Sequence, residues 1–346
     1  KPYLDIDAII NMAKVKGADA IHPGYGFLSE NAELATKARE NGIIFIGPDP
    51  EVMSQLGDKV KAKKVAKACK VPIIESSKKK LNSLETARTE AKRIGYPIML
   101  KAASGGGGRG MRILRSEKDL AGAFSSAKRE AKNAFGDDTV FLEKFVENPK
   151  HIEIQIVGDR HGNIVHLFER DCSVQRRFQK VVEIAPSLNL PEEVRQDLYK
   201  YAVAIATKVG YNNVGTVEFL VDKEWNIYFI EVNPRIQVEH TVTEEVTGID
   251  IVQFQLNQAS GYSLAELGLT QNQIPKPKGI AIQARINTEE IDNLIISQEY
   301  KNKGAKAKLN NRTNLEDVTQ WVGMKQLTYR YNTLKSFITD IHNANA

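Results

Sequence analysis

The rhythm of apolar and polar positions changes along this chain, and the changes divide it. Residues 9–16 are apolar at helical spacing, 18–21 form a short apolar run, and 32–41 read as a second helix. Ser29 is the expected cap of that helix, Gly42 its stop, and 43–46 a further strand. Strand, helix, strand predicts a parallel sheet of the α/β kind. In 59–70, Ala62, Val65, Ala66 and Cys69 make a helix face with lysines around it. Leu84, Ala87, Ala91 and Ile94 mark another helix, stopped by Gly95 and Pro97. Runs 98–100 and 111–114 read as strands, Leu120, Phe124, Ala127 and Ala131 as one face of a longer helix, and 140–142 as a strand ending at Glu143 and Lys144.

From residue 150 the period becomes two. Ile152, Ile154 and Ile156 alternate with polar residues, which predicts a half-buried antiparallel strand, and 164–170 returns after a turn. Residues 179–183 form another strand. Leu198, Ala202, Ile205 and Val209 give a helix starting near Pro191. Residues 216–221 and 227–233 form a hairpin, and Ile280, Ile282, Ala284 and Ile286 alternate again. After Glu290 the pattern weakens, apart from a helix near 334–341. The expected fold class is therefore α/β followed by α+β. It comprises a partial N-terminal parallel-sheet domain (1–73), an α+β module around the glycine run (74–146), a mixed or antiparallel portion (147–290) and an unassigned segment (291–346).

Composition narrows this picture. The 346 residues are 42% hydrophobic and 26% charged, enough for a sizeable core. A net charge of +5, scattered rather than clustered, gives no nucleic-acid footprint. No stretch has the length of a membrane span. Cys69 and Cys172 cannot make a disulfide framework, so a reducing compartment is expected. Because the chain opens on Lys1, it is read as a fragment. The expected location is the cytoplasm, or the mitochondrial matrix if a transit peptide preceded it.

Three stretches carry candidate chemistry. Residues 97–111 run from a strand bearing Lys101 through Gly105, Gly106, Gly107 and Gly108 to Arg109 and a returning strand. Successive glycines present backbone N–H groups unobstructed, and with two cations beside them they suit a flap over polyphosphate rather than a bare hairpin tip. No Gly-Lys-Ser/Thr opens a helix, so this is not a P-loop. Glu218 and Glu231, on adjoining strands with Asn233 near, form an oxygen set suited to Mg²⁺ (or Mn²⁺), against the plainer alternative of rim carboxylates paired with Lys. Residues 233–240 hold Arg235, able to fork onto a small oxyanion, and Glu239, a candidate general base; an Arg235–Glu239 salt bridge is the alternative. Residues 172–180 carry Arg176, Arg177 and Lys180, fit for a charged cleft wall or a solvated face. The histidines share no metal-ligand spacing.

Taken together, 22–31, Gly57-Asp-Lys59, Lys101 with its glycines, Glu143-Lys144, 151–155, 170–180 and 231–240 resemble the biotin carboxylase family of ATP-grasp enzymes, from about Tyr3 to Glu289. The wording of 162–173 and 240–248 is most similar to the pyruvate-carboxylase branch, with acyl-CoA carboxylases close behind. The resemblance would make 74–146 the lid and 147–290 the catalytic subdomain of an ATP-grasp fold. It implies ATP-dependent carboxylation of biotin by bicarbonate through carboxyphosphate. It implies that Lys59 and Lys101 neutralise ATP phosphates under the 105–110 flap, including Gly106, Gly107 and Gly108. Glu143, Lys144 and the backbone to Val146 would read adenine, and His151 and Gln175 would meet the nucleotide. Glu218, Glu231 and Asn233 would hold Mg²⁺. Lys180, Arg235, Gln237 and Val238 would hold bicarbonate, and Glu239 would deprotonate it. Biotin would arrive on a carrier outside this chain, with a carboxyltransferase domain as further partner and a homo-oligomer as the assembly.

The chain departs from the family in four places. Phe178 stands at a usual His, and the Asn-Arg-Gly-Glu-Ile-Ala segment does not precede Lys1. No Gly-Val-Arg strand follows Glu289, Arg285 and Arg330 being the nearest arginines by position. There is no Ala-Met-Lys-Met biotinylation site. These departures keep two alternatives open: another ATP-grasp ligase of the carbamoyl-phosphate kind, and a catalytically impaired nucleotide-binding module.

Overall fold

The computed structural model describes residues 2–78, 81–102, 111–176 and 179–285. The 105–110 loop, Phe178, Ile286, Arg330 and the segment 291–346 lie outside the described residues. In the N-terminal part, α1 (Ile6–Lys16), β1 (Ala20–Ile21), α2 (Ala32–Glu40) and β2 (Ile44–Phe45) are followed by α3 (Pro50–Leu56) and α4 (Lys59–Ala68). Strands β1 and β2 pair in parallel. Ile10 and Ala13 of α1 pack on Leu34, Ala38 and Ile43. Ser29 is not the cap of α2. Asn31 Oδ1 accepts the Leu34 N–H at 2.8 Å, while Ser29 is buried. The cap must sit in the extended residue immediately before the first turn, and that residue is Asn31.

A second layer consists of α5 (Leu84–Ile94), β3 (Ile98–Ala102), β4 (Arg112–Leu114), α6 (Glu117–Phe135) and β5 (Val140–Lys144), in an antiparallel sheet of order β4-β3-β5. Ala87, Ala91 and Ile94 of α5 and Leu120, Phe124 and Ala127 of α6 close over Ile98, Leu100 and Leu142.

The largest sheet has the order β10-β9-β6-β7-β8-β11, antiparallel throughout. Its strands are β6 (Lys150–Gly158), β7 (Ile164–Arg176), β8 (Gln179–Ala185), β9 (Asn213–Val221), β10 (Ile227–Asn233) and β11 (Ala281–Ala284). Helix α7 (Glu192–Lys208) lies between β8 and β9 in sequence, and α8 (His240–Thr247) and α9 (Ile251–Ala259) follow β10. On one face Ile152, Ile154, Ile156, Val217 and Phe219 pack against Leu198, Ala202 and Ile205 of α7 and Ala62 and Ala66 of α4.

The half-buried reading of β6 is corrected here. Its alternate positions Glu153 and Gln155 are as fully buried as the isoleucines, because the second face of the sheet is also covered. In β11 it is Ala281, not the isoleucines, that joins the core formed by Ala185, Val242 and Val246. The short helices α3, α8 and α9 had no clean apolar stripe to announce them, and α9 buries Gln255 and Gln258 beside Phe254. Among the described residues no helix is long and apolar enough to cross a membrane.

Candidate active site

The buried polar face of the large sheet carries a single charged row. Register sets Glu231 of β10 opposite Glu218 of β9, Glu218 opposite Glu153 of β6, and Glu153 opposite Arg170 of β7. Directly paired positions point to the same face, so three carboxylates stand side by side. Like charges in that arrangement repel, and the surrounding cations account for its existence. Lys59, the first residue of α4, reaches Glu231 at 2.9 Å. Lys180 of β8 meets three carboxylates at once, Glu153 at 2.5 Å, Glu218 at 2.8 Å and Glu239 at 2.7 Å. An ammonium has three N–H donors, and all three are used. Burial pulls the Lys180 pKa down, but the carboxylates around it outweigh that and hold it above the usual range. Glu218 resists burial in the same way, kept ionised chiefly by Lys180 and His151.

At the β7 end of this row stands Arg170, with no exposed surface. It has five N–H donors and five acceptors: Glu153 Oε1 at 2.5 Å, Gln155 Oε1 at 2.7 Å, Thr243 Oγ1 at 2.9 Å, and Thr216 Oγ1 and Gln237 Oε1 at 3.3 Å each. Glu239, at the start of α8, is buried and held on both oxygens. Lys180 takes Oε1, and Arg285, just past β11, takes Oε2 at 2.7 Å. Burial works against its charge, and Lys180 and Arg170 hold it below the usual carboxylate range.

A second cluster joins α4 to the smaller sheet. Glu143 of β5 is buried, and its two oxygens are taken by Lys63 and Lys101 respectively. Despite burial, Lys101 and Lys63 keep it ionised. Lys144, one residue on, points the other way and donates to the carbonyls of Gly95 and Tyr96 at 2.9 and 3.0 Å. Both side chains thus have protein partners, and Val146, two residues on from Lys144, is half-buried. His151 Nε2 lies 2.7 Å from Glu218 Oε2, and Gln175 Nε2 3.0 Å from His151 Nδ1. Burial lowers the His151 pKa, but Glu218 reverses the balance and raises it. Asn233 Nδ2 and Gln237 Nε2 donate to Glu218 Oε1 at 2.8 and 2.9 Å.

The plainer alternative for Arg235, a salt bridge to Glu239, is not formed: Arg235 donates to Glu30 Oε1 at 2.8 Å, tying the 22–31 loop to the end of β10. Val238 is half-buried in the turn before α8. Gly106, Gly107 and Gly108 lie outside the described residues. Five participants went unassigned from sequence: Glu30, Lys63, Glu153, Arg170 and Arg285. Two had a signal. Lys63 follows Lys59 by one helical turn, and Glu153 shares a strand face with His151. His151, Glu153 and Glu218 bring donor atoms within 4.8 Å of one another, one histidine among them, and Lys180 and Arg170 fill that ground. Among side chains able to take a hard cation, Glu218 and Glu231 in register, with the Asn233 amide, form an all-oxygen set consistent with Mg²⁺.

Known proteins resemble the chain over most of its length. The family described as carbamoyl-phosphate synthase L chain, ATP binding domain, matches residues 58–267, and that described as biotin carboxylase, N-terminal domain, matches 1–53. The chain is 54% identical over 291 residues to a pyruvate carboxylase of Schizosaccharomyces pombe, covering 84% of this chain and 24% of that protein. It is 54% identical over 296 residues to the Bacillus subtilis pyruvate carboxylase, covering 84% and 25%. It thus spans about a quarter of the length of these curated relatives. Among solved structures, the biotin carboxylase–β,γ-ATP complex from Campylobacter jejuni superimposes with a TM-score of 0.76 at 49% identity, covering 82% of this chain and 62% of that one. The biotin carboxylase domain of Hydrogenobacter thermophilus 2-oxoglutarate carboxylase, complexed with MgADP, ADP and bicarbonate, gives 0.77 at 49% identity, covering 84% and 63%.

Proposed function

The chain belongs to the biotin carboxylase family of ATP-grasp proteins, and from that premise we propose that it catalyses the ATP-dependent activation of bicarbonate for transfer to biotin, as the first half-reaction of a pyruvate-carboxylase-type enzyme. The observation that carries this reading is the Lys180 hub, which links the metal-suited carboxylate Glu218 to the candidate base Glu239 through one ammonium. Two separate tasks, holding the nucleotide's phosphates and activating a small oxyanion, would then share a single charge.

On this reading Lys59 and Lys101 exchange their carboxylate partners, Glu231 and Glu143, for phosphate oxygens of ATP. Glu218, Glu231 and Asn233 would hold Mg²⁺, which when bound supplies charge neutralisation at the phosphates. The glycine flap of 105–110 and the small sheet around it would serve as the lid. Lys180, Arg235, Gln237 and Val238 would receive bicarbonate, Arg235 turning from Glu30 to do so. Glu239 would take the bicarbonate proton. A bicarbonate oxygen would then attack the γ-phosphorus as the bond to the ADP oxygen breaks, giving carboxyphosphate. Carboxyphosphate would break its carboxyl C–O bond to give CO₂ and phosphate, and the ureido nitrogen of biotin on a carrier domain would bond the CO₂ carbon while its N–H proton passes to the phosphate. The protein's contribution is position and charge. The similarity to the MgADP–bicarbonate complex of the Hydrogenobacter domain supports the same assignment.

The test is ADP release with and without bicarbonate. The chain should cleave ATP faster with bicarbonate, and Lys180→Met should abolish that stimulation while nucleotide binding persists. A folded sample whose ATP cleavage ignores bicarbonate would refute the reading.

A further inference from the structure

The residue that faces Glu239 from just past β11 has no role in the scheme above. Arg285 donates from Nη2 to Glu239 Oε2 at 2.7 Å, while Lys180 holds Oε1. Its Nε lies 2.6 Å from Glu183 Oε1 on β8. That second contact is an ion pair without hydrogen-bond alignment, since neither Glu183 oxygen nor Arg285 Nε has a hydrogen-bond partner. Glu183 has no exposed surface.

Resting on the functional reading above, we propose that Arg285 is the positioning residue of Glu239: it fixes one carboxylate oxygen while Lys180 fixes the other, and Glu183 serves as its own buried counter-ion.

Three arguments support this assignment. First, a buried carboxylate without hydrogen bonds is costly, and burial pushes Glu183 up to about 7. Arg285 is the cation that faces it, so the acid makes physical sense as the anchor of that guanidinium. Second, the side chain is not needed to dock β11. The strand is already laddered to β8 from Ala281 opposite Ala185 to Ala284 opposite Val182, and the Arg285 N–H itself bonds Val181 O at 2.8 Å. Thr241 Oγ1 adds a further tie to Gln283 at 2.6 Å. Third, the geometry needs a planar fork. A guanidinium can address two carboxylates from different edges, whereas an ammonium is a compact point charge. With both oxygens held, Glu239 keeps one lone pair on each for a proton, and its orientation is determined at two points instead of one.

The experiment measures bicarbonate-dependent ADP release, ATP affinity and thermal melting for the wild type, Arg285→Met, Arg285→Lys and Glu183→Gln. A misplaced reacting group loses on the order of 10²-fold in rate. Arg285→Met should therefore lower kcat by about that factor, with ATP affinity close to wild type and a lower melting temperature, because Glu183 is left buried without its cation. Arg285→Lys should recover part of the rate, and Glu183→Gln should fall between wild type and Arg285→Met. Two results would overturn the assignment: Arg285→Met turning over like the wild type, or a rate lost together with ATP affinity and not recovered by Lys. A wild type without bicarbonate stimulation refutes the functional reading, and this assignment with it.

Discussion

Replacing Arg170 with Met removes a guanidinium whose five N–H donors are all satisfied in the interior. Methionine fills much of the space, so the cavity contribution is small. The loss is electrostatic: Glu153, itself fully buried, is left with Lys180 as its ion partner, and Lys180 is already divided among three carboxylates. Breaking a buried ion pair from one side costs about 3–5 kcal/mol. Thr216 and Thr243 can turn their hydroxyls elsewhere and add little. Against a net stability of about 5–15 kcal/mol, this is a large fraction. Urea unfolding followed by far-ultraviolet circular dichroism reads it as a shift in midpoint at constant slope. The companion variant Glu153→Gln makes the origin explicit. If the pair is the source, the double variant should cost less than the sum of the singles, by about 0.5–3 kcal/mol. A loss below about 1 kcal/mol for Arg170→Met, or strict additivity in the double variant, would refute the reasoning.

Further outcomes follow from other parts of the fold. His166, stacked on Tyr199 with ring centroids 4.0 Å apart, is lowered by burial from 6.5 to about 4. The folded state then binds fewer protons there than the unfolded chain, so this stabilisation is complete above pH 6.5 and is lost as pH falls towards 4. His166→Phe should flatten the pH dependence of the unfolding midpoint across that window, and an unchanged slope would contradict it. Asp58 caps α4 by accepting from Val60 and Lys61 N–H at 2.8 and 3.0 Å, so Asp58→Ala should destabilise by about 1 kcal/mol and weaken ATP binding through the misplaced Lys59; isothermal titration and unfolding check both. A Cβ at Gly215 would lie 2.0 Å from the Tyr211 hydroxyl, so Gly215→Ala should cost about 1–3 kcal/mol, and Tyr211→Phe in the same chain should recover part of it.

How much of this was legible beforehand depends on the kind of residue. Helices α4, α5 and α6 announced themselves because small apolar residues recur on one face, and Glu218 and Glu231 because two strands flank a short turn. Lys59, Lys101 and Glu239 stood out as charges beside glycines or strand ends. Arg170 and Glu153 did not, because a polar residue alternating with isoleucine looks the same whether it meets water or a second buried layer. Periodicity reports that two faces differ, not that one is wet. Arg235 shows another limit. Its partner Glu30 is 205 positions away, and the choice between Glu30 and Glu239 depends on how the N-terminal loop packs on the end of β10. Short helices such as α8 and α9, held by buried amides and caps such as Asp250, carry no period long enough to read.

The strand order has a consequence for synthesis of the chain. Strand β6 emerges first of the large sheet, yet the edge beyond β8 is closed by β11, the last of its strands among the described residues. Between Lys150 and Ala284 a ribosome needs roughly 7–27 s at about 5–20 residues per second. During that interval the nascent sheet has β8 as an open edge, available to any strand that passes. The same interval leaves Glu183 and Glu239 without Arg285. The half-made site is then one cation short, and it is Arg285, arriving directly after β11, that supplies it.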